Sequence, residues 1–115
     1  MLNGNFGGTS SENNRKEPRV TVSVPGEANG NHAWLKNISP NGLAFVSEGA
    51  KCNTGDDLLF ELEIVDIGTV KIGGSIVRAK GDHEFGAAIK GLSCDAVKLM
   101  ETLEAGRFRP LLRVV

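Results

Sequence analysis

The sequence predicts a mainly β domain: a small antiparallel barrel or sandwich of six short strands, followed by one helix. Two observations predict it. Apolar and polar residues alternate in short runs, separated by clusters of Gly, Pro, Asn, Asp and Ser. The period changes near the C-terminus, where Ala96, Leu99, Met100 and Leu103 recur at helical spacing.

Residues 1–14, MLNGNFGGTSSENN, read as a flexible leader, because so polar a stretch buries too little surface to offset its ordering entropy. Val20, Val22 and Val24 alternate with Thr21 and Ser23 and predict the first strand. Pro25, Gly26, Asn29 and Gly30 predict the turn after it. Residues 32–38 predict a second strand, Ser39-Pro40-Asn41-Gly42 a tight turn, and residues 43–46 a third, more fully buried strand. Residues 49–56 are loop by composition. Leu58, Phe60, Leu62 and Ile64 share one face of a fourth strand, with Glu61 and Glu63 opposite. Val70, Ile72 and Ile76 mark a fifth, in which Gly73-Gly74 predicts a bulge or sharp bend. Phe85, Ala87 and Ile89 mark a sixth. The helix is expected over residues 93–105, with Ser93 as N-cap and Gly106 as its stop. Residues 107–115, RFRPLLRVV, form a basic and apolar tail that either docks a partner or covers part of the barrel. The organisation is therefore a leader (1–14), one folded domain (15–106) and a tail (107–115).

Composition narrows the function. The 115 residues make one domain with 40% hydrophobic and 23% charged residues. A net charge of -1 and a pI near 6.1 argue against gripping long nucleic acid. An anionic ligand must be met by a local cluster. The sequence contains no apolar run of about 18 residues and no basic-then-apolar signal at its start, so no membrane insertion and a cytoplasmic location are expected. Cys52 and Cys94 lack metal-ligand spacing and are expected to be reduced thiols. No nucleophile elbow, P-loop, HExxH or paired His/Cys cluster is present. His32 and His83 read as solvated or core residues, and Glu61 and Glu63 as a solvated edge. No catalytic residue, metal site or cofactor is expected, and the chain is not read as an enzyme. Trp34 is the one obvious stacking candidate for a single-strand nucleic-acid barrel, but an aromatic on a strand more commonly belongs to the core.

Two clusters carry chemistry. Arg15, Lys16 and Arg19 stand directly before the first strand, partly offset by Glu12 and Glu17. Arginine's planar fork suits phosphate and the O6/N7 edge of guanine, and its face stacks on purines. Asn37, Ser39 and Gly42 surround the second turn. They supply an amide, a hydroxyl and a position where a ligand can approach the backbone. Each cluster alone also fits a solvated charge run or an ordinary turn.

Together, RKEPR, seventeen intervening residues and NISPNG resemble the two-part signature of the PilZ domain. The stretches GLAFV and FGAAI and the C-terminal helix are similar to that family too, over about residues 14–106. The resemblance implies a six-stranded antiparallel barrel with a C-terminal helix, which receives cyclic di-GMP on its outside. Arg15 and Arg19 would embrace guanines and phosphates, Asn37 would bond a guanine edge, Ser39 would touch a base or phosphate, and Gly42 would leave room. Lys16, Arg78 and Gly86 are further candidates. Asn37 stands where the family more often has aspartate, and Ala44 where a larger aliphatic is common. The implied function is a second-messenger receptor, in motility or biofilm regulation, that relays binding to a protein partner by conformational change. The alternative is a PilZ-fold adaptor that works by protein contact without nucleotide.

Overall fold

The computed structural model describes residues 20–109. Along the chain run β1 (Val20–Ala28), β2 (Asn31–Ser39), β3 (Gly42–Val46), β4 (Asp57–Ile64), β5 (Gly68–Lys80), β6 (Glu84–Leu92), α1 (Ala96–Glu104) and β7 (Phe108–Arg109). The first six strands pair antiparallel in the order β1-β2-β3-β6-β5-β4, and β4 returns to β1 through Glu27–Glu61 and Ala28–Phe60. The sheet is therefore a closed barrel and not a sandwich, and the expected six strands and C-terminal helix are present.

Alternation decides what lies inside. Leu58, Phe60, Leu62 and Ile64 are buried, as are Val70, Ile72 and Ile76. Phe45 sits between Phe60 and Phe85, with ring centroids 5.3 and 5.2 Å away. Helix α1 adds Leu99, Met100 and Leu103 to this core and packs on β1. It is capped by Asp95, whose carboxylate accepts from Lys98 N–H at 2.9 Å. Ser93, the expected cap, instead accepts from Lys71 N–H at 2.9 Å and ties β5 to the end of β6. Gly106, at φ +76, ends the helix as expected.

The first turn is shorter than the sequence suggests. Asn29 and Gly30 make it, both at positive φ, whereas Pro25 and Gly26 belong to β1. Pro25 lies where β1 is paired on one side only, a setting in which strands tolerate proline. Gly26 serves barrel closure: a side chain there would collide with the Glu61 carbonyl oxygen. Asn29 reinforces the same seam. It accepts from Leu59 N–H at 2.8 Å and donates to Asp57 O at 3.1 Å. The expected irregularity at Gly73-Gly74 is present, but the extra residue is Lys90 on β6. Gly74 is needed because the Ala88 carbonyl occupies the place of a side chain. At the start of the tail, Phe108 and Arg109 pair with Ile64 and Glu63 of β4.

Candidate functional site

Bulges shape one stretch of the barrel's outer surface. In β2, Leu35 pairs with Phe45 and Asn37 with Ala44, so Lys36 is an extra residue. In β5, Ile76 pairs with Ala87 and Arg78 with Gly86, so Val77 is extra. β1 carries a third irregularity between Thr21 and Val24. A bulge re-aims the side chains beside it and increases local twist. Here Val77 and Arg78 are both exposed, and Lys36 is exposed beside the half-buried Asn37.

Register then aligns a row across five strands: Thr21, Asn37, Ala44, Gly86 and Arg78. Ala44 and Gly86 contribute a methyl and a hydrogen, so the middle of the row is a low floor. The Arg78 guanidinium lies on it. A Cβ built on Gly86 would stand 3.2 Å from Arg78 Nη2 and 3.4 Å from both Cζ and Nε. Three atoms nearly equidistant from one point describe a guanidinium laid flat, with its other face outward. The Arg78 side chain makes no ion pair or hydrogen bond among the described residues.

A depression opens on each side of Arg78. One, of about 530 Å³, is lined by Lys36, Asn37, Arg78, Lys80 and Glu84 over the Ala44 floor. Three cations against one carboxylate give it a local surplus of positive charge on a chain whose net charge is -1. The other, of about 260 Å³, is lined by Asn41, Gly42, Val77, Gly86 and Ala88 with Arg78. The structure thus brings Asn37, Gly42, Arg78 and Gly86 together. It does not bring the Ser39 hydroxyl into either depression. Ser39 is 1% exposed, and its Oγ donates to Gly42 O at 3.4 Å, closing the hairpin. Arg15, Lys16 and Arg19 lie outside the described residues. The chain that carries them joins β1 at Val20, which pairs with Ile38 one step beyond the Thr21–Asn37 pair.

Sequence reasoning missed Lys36 and Lys80. Both owe their place to register and bulges, for which no motif exists. It also set Trp34 aside as a core residue. Trp34 is 40% exposed on the outer face of β2 and lines a neighbouring cavity with His32, Glu48 and His83. Burial raises the thiol pKa of Cys52, with Asp56 adding to the effect; burial and then Asp95 do the same at Cys94. Among the described residues no group of three or more His, Cys, Asp or Glu is placed to hold a metal ion. Among them, too, no helix is long and apolar enough to cross a membrane.

Comparison with curated proteins gives no match. Comparison with protein families does: residues 13–106 match the PilZ domain. That family is one of receptors that bind cyclic di-GMP, not one of catalysts. With the match spanning both sequence clusters and the whole barrel, the chain belongs to the PilZ domain family.

Proposed function

We propose that this chain binds cyclic di-GMP across the Asn37–Ala44–Gly86–Arg78 row and that the RKEPR segment closes over the bound nucleotide. The observation that carries this is the flat Arg78 guanidinium, unpartnered among the described residues, between two depressions in a cleft with a surplus of positive charge. Phosphates meet Lys36, Lys80 and Arg78. The Asn37 amide offers a donor and an acceptor to a guanine edge. Ser39 holds the turn that keeps Gly42 low. The segment carrying Arg15 and Arg19 joins β1 at Val20, and a five-residue segment reaches at most ~18 Å, a span that would cross the neighbouring strands.

Ordering five residues costs roughly 5–10 kcal/mol of backbone entropy. Hydrogen bonds to charged groups contribute about 1.5–3 kcal/mol each, so four or more of them offset that cost. The ordered segment leads directly into β1, against which α1 and β7 pack. Ligand binding is thereby relayed to the helix and tail, where a protein partner reads it. Two free thiols fit a reducing compartment such as the cytoplasm.

Calorimetric titration tests the reading. The chain is expected to bind cyclic di-GMP at micromolar concentration or below, and the Arg15→Ala/Arg19→Ala variant to lose at least about 100-fold, two charged contacts' worth. Absence of heat at micromolar nucleotide contradicts it.

A further inference from the structure

The cleft does not end at Lys80 and Glu84. The next outward row is Pro25, Trp34, Val46, Glu84 and Lys80. Val46 is shared: it lines the cationic depression on one side and a second cavity, also about 530 Å³, on the other. Trp34 forms a wall of this second cavity. Its indole meets the His32 ring edge-to-face, with centroids 5.4 Å apart and planes at 81°. The opposite wall is held in place. Ser47, buried, donates its hydroxyl to His32 O at 2.6 Å and accepts from Ala50 N–H at 3.1 Å. Ser47 N–H donates to His83 O at 2.8 Å, fixing the β5–β6 turn against β3. The cavity is therefore formed in advance of any occupant.

Its chemistry differs from that of the cationic depression. The one carboxylate in its lining is Glu48, and no lysine or arginine lines it. Glu48 and His83 make no side-chain hydrogen bond or ion pair among the described residues. A phosphate has no counter-charge here. A flat aromatic ring with adjacent N–H donors does have partners: a part-exposed indole to stack on and a carboxylate to accept.

Building on the receptor reading above, we infer that this cavity is a purine subsite: a guanine of the dinucleotide stacks on Trp34 and donates its N1–H and exocyclic amine to the Glu48 carboxylate. Guanine presents those two donors side by side, matching the two oxygens of a carboxylate; adenine does not. Asn37 and Trp34 are three residues apart on β2, roughly 10 Å. That span separates a phosphate region around Lys36, Arg78 and Lys80 from a base region around Trp34.

Trp34 is the chain's single tryptophan, so intrinsic fluorescence reports this cavity alone. The test titrates the full chain with cyclic di-GMP, followed in parallel by calorimetry and fluorescence. Quenching is expected to saturate together with the heat. Trp34→Ala is expected to weaken binding roughly 5- to 100-fold, the range for losing one base–aromatic stack, and Trp34→Phe to recover part of it. Glu48→Gln is expected to narrow the preference for cyclic di-GMP over cyclic di-AMP. Trp34 projects outward, so unchanged thermal midpoints verify that the variants fold. Normal heat with unchanged fluorescence, or with Trp34→Ala binding as tightly as the parent, overturns the subsite and leaves the receptor reading standing. An unchanged base preference in Glu48→Gln overturns the role of Glu48. No heat with the parent chain overturns the receptor reading and the subsite with it.

Discussion

Replacing Gly86 with alanine should separate binding from stability. The new methyl would stand 3.2 Å from Arg78 Nη2 and 3.4 Å from Cζ and Nε. Comfortable contacts lie near ~3.5–4.0 Å, so the guanidinium must lift by a few tenths of an ångström. It can do so, because Arg78 is exposed and unpaired among the described residues. The backbone at Gly86 is not at positive φ, so alanine fits it. Alanine in a strand gains roughly 0.5–1 kcal/mol over glycine through lost unfolded-state freedom. The thermal midpoint is therefore expected to stay level or rise by up to about 4–8 °C. Binding should move the other way. Removing Arg78 altogether forfeits about 1.5–3 kcal/mol, roughly ten- to hundred-fold in affinity. Gly86→Ala tilts and raises the same group and should lose part of that, on the order of three- to ten-fold. Paired calorimetry and thermal unfolding of the parent, Gly86→Ala and Arg78→Ala proteins measure both quantities. The reasoning is refuted if Gly86→Ala binds like the parent while Arg78→Ala loses affinity, or if Gly86→Ala unfolds markedly earlier.

Other glycines should behave differently. Gly74→Ala and Gly26→Ala place a methyl against the carbonyls of Ala88 and Glu61 and should each destabilise the barrel by about 2–3 kcal/mol, whereas Gly73→Ala, with open space at its Cβ, should not. Denaturant unfolding distinguishes them. Asn29→Ala removes two side-chain hydrogen bonds to β4 and a residue suited to positive φ, so a loss of about 2 kcal/mol is expected by the same measurement. Burial pushes both thiols above their ordinary pKa. At pH 8 Cys52 and Cys94 should alkylate more slowly than a free thiol, speeding up as pH rises; equal rates at pH 8 contradict this.

Much of the barrel was legible because its strands are half-buried. Leu58, Phe60, Leu62 and Ile64 alternate without interruption, and burial follows that pattern. Errors fell where one residue type serves two purposes. Pro25-Gly26 has the composition of a turn, yet Gly26 is selected by the closeness of the Glu61 carbonyl, a contact between residues 35 positions apart. Ser93 has the chemistry of a cap, but Asp95 stands nearer the first helical turn and takes the role.

The candidate site was legible at its turn and, through the family resemblance, at Arg78 and Gly86, but not at the cations beside them. Asn37 and Gly42 carry a motif, and they line depressions. Lys36 and Lys80 carry none. One clue was present: the buried residues of β2 run Ala33, Leu35, Ile38, a slip of one that implies an extra residue near Lys36. Trp34 was misjudged for a related reason, since alternation alone does not say which face of an isolated strand will be covered. It falls opposite Leu35, which is fully buried, and so faces outward.

The central claim is that the Asn37–Arg78 row, closed by the RKEPR segment, holds cyclic di-GMP. Amide resonances followed during titration with the nucleotide test it most directly. The account predicts saturable shifts at Asn37, Gly42, Ala44, Arg78 and Gly86, accompanied by shifts at residues 15–19. Shifts absent from that row, or confined to the β4 and α1 side of the barrel, would contradict it.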